Sequence, residues 1–220
     1  MKTIVVTSQK GGSGKTTLAV HLAVEAERAG DGPTWLIDTD KQGTLSLWHE
    51  RRESETPQRA DVPFVRLAEG LKALANSGGA YCFIDTPPTI SEQSAAVLGL
   101  ADLVLIPVRP SPADLWAVSE TVALVKDAEK PFLFIITQAK AQATITAQTI
   151  AALSEHGRVA RAFVADRVPY AVAMTGGRTA PELGPKTAAA EEVTGLWRDV
   201  KSFFQERLKT VTRARSVVNG

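Results

Sequence analysis

The sequence predicts an α/β domain built on a single doubly wound, mainly parallel sheet flanked by helices. Three observations carry this. Short apolar runs rich in β-branched residues alternate with helical patterns along nearly the whole chain. Runs such as LVLIPV and FLFIIT are apolar at every position, as strands covered on both faces must be. The first run passes through a glycine-rich turn straight into a helical pattern, the opening of a parallel strand-turn-helix unit.

The elements follow in order. The apolar run Thr3 to Thr7 is the first strand, and the Ala- and Leu-rich stretch Lys15 to Arg28 the helix after it. A strand from Thr34 to Asp38 and a helix near Leu45 to Arg52 come next, then a polar connector, ESETPQRAD. The run Pro63 to Leu67 reads as a strand, Glu69 to Asn76 as a helix, Tyr81 to Asp85 as a strand and Ser91 to Leu100 as a helix. Leu103 to Val108 is a strand, Ala113 to Asp127 a helix, Phe132 to Thr137 a strand and Thr144 to His156 a helix. A strand from Val159 to Val164, an irregular segment and a helix from Lys186 to Leu208 complete the pattern. With no repeat or low-complexity linker, residues 1–209 form one domain, and residues 210–220 are expected to fray as a flexible tail.

Composition narrows the function classes. At 220 residues, 44% of them hydrophobic and 22% charged, the chain can bury a sizeable core, and disorder is not the default. The first apolar run is too short for a signal peptide and none reaches the eighteen or so residues of a membrane span, so a cytoplasmic location is expected. The single cysteine, Cys82 in YCFID, rules out a disulfide framework within the chain and reads as a buried small hydrophobe. Net charge is only +1, but from Gly157 onward eleven Lys and Arg face six Asp and Glu. The C-terminal third is basic.

The chemistry concentrates in SQKGGSGKTT, residues 8–17. Between a strand and a helix, such a loop lets backbone N–H groups turn around phosphate while the helix presents its positive end. Gly11, Gly12 and Gly14 make the turn, Lys15 reaches phosphate, and Thr16 offers its hydroxyl to Mg²⁺, with Ser13 and Thr17 beside them. The pattern departs from the usual spacing: Gln9 stands where the first glycine belongs, and a second lysine, Lys10, follows it.

Asp85 ends an apolar strand, at the edge where an α/β sheet binds ligand, and reads as the acid that orders the Mg²⁺ water shell. Asp38 and Asp40 in LIDTDKQG end the second strand, both able to face that edge, and one can polarise the attacking water. Turn or cap aspartates are the plain alternative. Thr16, Asp38 and Asp85 are the candidate metal residues.

Guanine readers carry an Asn-Lys-x-Asp segment. The chain's only asparagines are Asn76 and Asn219, and the nearest look-alike, TQAK at 137–140, lacks the aspartate, so adenine is favoured. Lys15 already serves its own phosphates, and a side chain five residues earlier projects outward. If two copies met across their nucleotides, Lys10 would supply transition-state charge in trans, as an arginine finger does.

With these residues in place, the chain resembles the ParA/MinD family of P-loop ATPases. K-G-G-S-G-K-T-T matches its deviant Walker A motif, LIDTDKQGTLSLW its D-x-D-P-Q segment, FIDTPPT its Walker B region, and ADLVLIPVRPSPADL the next strand and loop. VPYAVA and AAAEEV resemble its closing segment, and the likeness is greatest to the small, ParF-like ParA proteins of plasmid partition. Larger relatives carry an N-terminal helix-turn-helix for which there is no room here, so autorepression is not expected.

The resemblance implies an ATP-bound sandwich dimer that binds double-stranded DNA non-specifically and sits on the nucleoid. A small centromere-binding partner of the ParB or ParG kind would stimulate Mg²⁺-dependent hydrolysis of ATP and release. It implies that Lys10 acts across the dimer, that Lys15 and Asp40 are catalytic, and that Arg109, Pro110, Ser111, Pro112, Asp114, Thr137 and Gln138 lie near the nucleoside. Lys41, where the family usually has proline, is a departure that bears on the hydrolysis rate. The candidates for DNA phosphates are Arg158, Arg161, Arg178, Lys186, Lys201, Arg207 and Lys209.

Two alternatives stand beside this. A MinD-like membrane-positioning ATPase would use the apolar stripe Val193, Leu196, Trp197, Val200, Phe203, Phe204, Leu208 and Val211, although a terminal helix must first bury one stripe on its own sheet. Positioning of another cargo, such as carboxysomes or chemoreceptor arrays, would use the same chemistry.

Overall fold

The computed structural model describes residues 1–89, 92–140 and 144–218. In chain order its elements are β1 (Lys2–Val6), α1 (Lys15–Arg28), β2 (Thr34–Asp38), α2 (Thr44–Glu50), β3 (Gln58–Arg59), a 3-10 turn (Phe64–Arg66) and α3 (Leu67–Asn76). There follow β4 (Tyr81–Asp85), α4 (Glu92–Gly99), β5 (Leu103–Val108), α5 (Pro112–Asp127), β6 (Phe132–Ile136), α6 (Thr144–Ser154), α7 (Val168–Thr175), α8 (Ala180–Leu183) and α9 (Ala188–Val218). The strands form one six-stranded sheet in the order β3-β2-β4-β1-β5-β6, every described pairing parallel.

Because successive side chains of a strand point to opposite faces, each strand feeds two cores. Ile4, Val6, Leu36, Phe83, Leu105 and Ile135 pack under α1 and α9, whereas Val5, Ile37, Ile84, Val104, Ile106 and Ile136 pack under α3 to α6. This is why LVLIPV has no polar position: all six residues of β5 are buried. Each fully buried aliphatic side chain contributes about 2 kcal/mol. Cys82 is among them, and burial pushes its thiol up to about 12, the inert small hydrophobe the sequence predicts.

The register positions the site. Asp85 lies opposite Val6 on one side and Asp38 on the other, so the exits of β1, β2 and β4 converge at one end of the sheet.

Three sequence expectations are corrected. The expected strand Pro63–Leu67 is a 3-10 turn entering α3, and the edge strand forms instead within the polar connector, where Gln58 and Arg59 pair with Trp35 and Leu36. Leu67 and Leu71, four apart, are buried on one helix face while Val65 is exposed, so the apolar run follows helical rather than strand periodicity.

The expected strand Val159–Val164 reduces to isolated bridges, Phe134 to Val159 and Ala139 to Ala165. Midway, the N–H groups of Arg161 and Ala162 donate to Asp199 Oδ2 at 2.7 and 2.9 Å, so a carboxylate of α9 satisfies donors that a strand would give to its neighbour. The "irregular segment" contains α7 and α8, and α9 runs from Ala188 to Val218. The predicted helix start at Ser91 lies outside the described residues.

Candidate functional site

The phosphate loop sits where β1 leaves the sheet. Gly12 and Gly14 have φ of +72° and +89°, left-handed values at which a Cβ is strained, and Gly14 is the residue from which α1 starts. A Cβ on Gly11 would meet nothing within 4 Å, so the loop's outer side is open. From the end of β6, the Thr137 hydroxyl donates to Ser13 O at 2.8 Å and Gln138 Nε2 to Gly12 O at 2.7 Å, fixing two loop carbonyls outward from α1. Lys15 is buried. Burial lowers its pKa, opposed by the charges of Asp85 and Asp40.

Thr16 and the three aspartates meet at this point. The Thr16 hydroxyl donates to Asp85 Oδ2 at 2.5 Å, while Asp85 Oδ1 is buried with no hydrogen-bond partner. Burial pushes the Asp85 carboxyl up to about 7, with Asp38 and Asp40 adding to the rise and Thr16 and Lys15 opposing it. A buried acid with one oxygen unsatisfied suits a hydrated divalent cation.

Among the described residues no three His, Cys, Asp or Glu groups converge to hold a metal alone, so a bound cation would need phosphate oxygens as further ligands. Asp38 accepts from the N–H of Asp40 at 3.0 Å and from the N–H and hydroxyl of Ser46 at 2.9 and 3.0 Å. It has the geometry of the turn aspartate and holds the loop that carries Asp40. Asp40 is half-buried, and its Oδ1 accepts from Gln42 N–H at 3.0 Å. Lys41 is exposed in the turn that follows.

Beside the loop opens a cavity of about 250 Å³, lined by Gly14 and Thr17 at its phosphate end, Thr137 and Gln138 on one side, and Asp166, Arg167 and Tyr170 on another. Its floor includes His21, neutral in this setting: burial lowers its pKa to about 4. Nδ1 faces Thr17 O at 2.8 Å and Nε2 accepts the Ala180 N–H at 3.0 Å, which assigns the proton to Nδ1. The cavity is continuous with the phosphate loop.

Thr137 and Gln138 line it. Pro110, Ser111, Pro112 and Asp114 do not. Asp114 is buried on the other side of the loop, in a two-pronged ion pair with Arg109 at 3.0 and 3.1 Å and with the Ser111 hydroxyl at 2.6 Å. Ser111 caps α5 by accepting the Asp114 N–H at 3.2 Å, and Arg109 Nη1 lies 3.6 Å from where a Gly12 Cβ would be, so this segment braces the loop. Sequence reasoning missed His21, Asp166, Arg167 and Tyr170. A lone histidine on an apolar helix carries no signal, and the VPYAVA match, which includes Tyr170, gave that residue no site role.

Lys10 is half-buried at a crevice bordered by Ser8, Val108 and Asp114. The basic candidates divide. Arg158 pairs with Glu206, Arg178 with Glu53 at 3.4 Å and Lys201 with Asp31 at 2.8 Å. Arg161, Lys186, Arg207 and Lys209 are exposed. The apolar stripe of α9 faces inward: Val193, Leu196, Trp197, Val200, Phe203 and Phe204 are all buried against the sheet, while the side chains of Leu208 and Val211 lie outside the described residues. Among the described residues no helix is long and apolar enough to cross a membrane.

A parallel sheet, a glycine loop feeding a helix, and a strand-end acid hydrogen-bonded to the helix's first threonine define a P-loop nucleotide-binding domain. Comparison with known proteins specifies it. Residues 4–178 match the CobQ/CobB/MinD/ParA nucleotide binding domain, and the chain belongs to that family. It is 27% identical over 208 residues to the maintenance of carboxysome distribution protein A of Halothiobacillus neapolitanus, covering 90% of this chain and 95% of that one. It is 31% identical over 134 residues to Protein ParA of Rhizobium radiobacter, covering 59% of each. The solved ATP complex of a McdA variant from Cyanothece superposes with a TM-score of 0.72 at 22% identity, covering 91% of this chain and 96% of that one. The chain is thus a ParA/MinD-type ATPase with the fold of that family.

Proposed function

We propose that this chain is a ParA-type ATPase that partitions DNA, binding DNA non-specifically as an ATP-bound dimer and releasing it when a small partner of the ParB or ParG kind stimulates hydrolysis. The observation that carries the reading is the division of labour between the two lysines of one loop. Lys15 is buried near the charges of Asp85 and Asp40, while Lys10 borders a separate crevice with Ser8, Val108 and Asp114, which supports assigning Lys15 to its own phosphates and Lys10 to those of a second copy.

In this reading Gly11 to Thr17 wrap the phosphates, and Thr16 with Asp85 holds Mg²⁺. When bound there, such an ion would supply positive charge to the phosphates. Asp40, held in place by Asp38, orients the attacking water, and Lys10 of a second copy stabilises the transition state. The nucleoside occupies the cavity against His21 and Tyr170. Arg161, Lys186, Arg207 and Lys209 are the exposed cations that remain for DNA phosphates; Arg158, Arg178 and Lys201 would first have to exchange their carboxylates. The reading places the protein on the nucleoid.

A second reading, positioning of another cargo by the same DNA-binding cycle, is favoured by the carboxysome-distribution relative matched over 90% of the chain. The MinD-like alternative has little support, because the stripe of α9 that would enter lipid is buried up to Phe204.

The test is binding to random-sequence duplex DNA and to anionic liposomes, with ADP or a slowly hydrolysed ATP analogue, across a salt series. ATP-dependent, salt-sensitive DNA binding supports the proposal. Liposome binding without DNA binding overturns it.

A further inference from the structure

The wall of the nucleoside cavity is an irregular segment, 164–167, which borders β6 but lacks the continuous ladder of a strand. Loops without such a ladder are ordinarily adaptable, and ordering them on binding weakens affinity. On the side of α9 this one is fastened at a single carboxylate. Glu192 Oε2 accepts the Ala165 N–H at 3.1 Å and the Tyr170 hydroxyl at 2.8 Å, while Oε1 accepts Arg167 Nε at 2.8 Å. Ala165, Arg167 and Tyr170 all line the cavity, and so do Val193 and Leu196, which follow Glu192 on α9. Glu192 itself does not.

On its far side the same wall is tied to the end of β6 by backbone bonds, Ala139 N–H to Val164 O at 3.0 Å and Asp166 N–H to Ala139 O at 2.9 Å. Seven residues along α9, Asp199 holds the preceding stretch through Arg161 and Ala162, neither of which touches the cavity.

We propose that Glu192 is a positioning residue for the nucleotide: by holding Ala165, Arg167 and Tyr170 at one point it preorganises the cavity wall, so that nucleotide affinity depends on a side chain that never contacts the ligand. The inference rests on the cavity being the nucleoside site. Because the wall meets the nucleoside end, the effect is the same for ATP and ADP and falls on binding, not on the chemical step.

The experiment measures Kd for ATP and ADP, and KM and kcat for hydrolysis, with the full chain and its Glu192→Ala, Glu192→Gln and Asp199→Asn variants, each checked for its melting temperature. Expected are a loss of about tenfold in affinity for both nucleotides in Glu192→Ala, a matching rise in KM with little change in kcat, and a smaller loss in Glu192→Gln, which retains an acceptor but no charge for Arg167. Asp199→Asn, which removes charge from the same helix and segment away from the cavity, is expected to bind normally. If Glu192→Ala does not fold, Tyr170→Phe, which removes one of the three bonds, takes its place beside Glu192→Gln. A folded Glu192 variant with unchanged Kd overturns the proposal, as does an equal loss in Asp199→Asn. An unaltered chain that binds no ATP overturns the P-loop reading itself, and this inference with it.

Discussion

His21 offers a test of the buried site that needs no ligand. Its ring is fully buried, with Nδ1–H directed to Thr17 O and Nε2 accepting the Ala180 N–H. Protonation would place a second N–H against the Ala180 donor, and burial disfavours the charge. The folded pKa falls from 6.5 to about 4, with the Thr17 carbonyl and Glu182 only partly opposing burial. Between those values the unfolded chain binds the proton and the folded chain does not. The stability from keeping His21 neutral is therefore present above about pH 6.5 and is lost as pH falls through 4. At 1.36 kcal/mol per pH unit the full loss is about 3 kcal/mol, of which about 2 kcal/mol is gone by pH 5.

The assay is urea unfolding of the wild-type chain and His21→Gln at pH 7.5 and pH 5. The variant keeps a donor and an acceptor but cannot titrate. Comparing the two isolates His21, because Asp85 and the other acids titrate in both. His21→Gln is expected to be less stable at pH 7.5 and to close the gap by about 2 kcal/mol at pH 5. If the two stabilities run parallel, the histidine is not held neutral between α1 and α8 and the reasoning fails.

Other substitutions probe the rest of the site. Asp85 has the opposite sign: its carboxyl is raised to about 7, so the nucleotide-free chain loses stability as pH rises through 7, and Asp85→Asn should be more stable at pH 8 by something on the order of 4 kcal/mol yet unable to support Mg²⁺-dependent turnover. Equal unfolding midpoints at pH 8 would count against it. Lys15→Ala should weaken ATP binding by about 2–3 kcal/mol in calorimetry, since it removes a charge-assisted contact; an unchanged isotherm refutes the loop assignment. Lys10→Ala should bind ATP but not hydrolyse it, and retained turnover would remove the in-trans role. Gly177→Ala tests the docking of α2: with φ at +65° and a Cβ that would meet Arg51 C at 2.5 Å, it should cost about 2–4 kcal/mol in thermal unfolding. A cost under ~1 kcal/mol would mean the contact yields.

The parts of this protein legible in its sequence are those fixed by local rules. Apolar runs and their lengths located α1, β2, β4 and β5 to the residue, because strand and helix periods are set by bonding within or beside the segment. The phosphate loop was legible because glycine, lysine and threonine must stand at fixed offsets for backbone amides to close on phosphate. Strand ends named Asp38, Asp40 and Asp85, since a parallel sheet exposes its ligand edge there.

What only the tertiary structure decided depends on partners distant in the chain. The run Val159–Val164 has a strand's composition, yet midway Asp199 on α9 takes the N–H groups of Arg161 and Ala162, and no local rule announces a carboxylate that far along the chain. Asp38 and Asp85 look alike as strand-end acids; one is saturated by Ser46 and Asp40 N–H while the other keeps a bare buried oxygen. Arg109 to Asp114 resembles a nucleoside-side loop, but its spacing does not announce that Asp114 pairs with Arg109, nor that a cavity opens beside His21 and Tyr170. Sequence spacing determines which groups can face one edge; the packing of α7 to α9 over α1 determines which of them meet, because burial and hydrogen-bond saturation are properties of the neighbours and not of the residue.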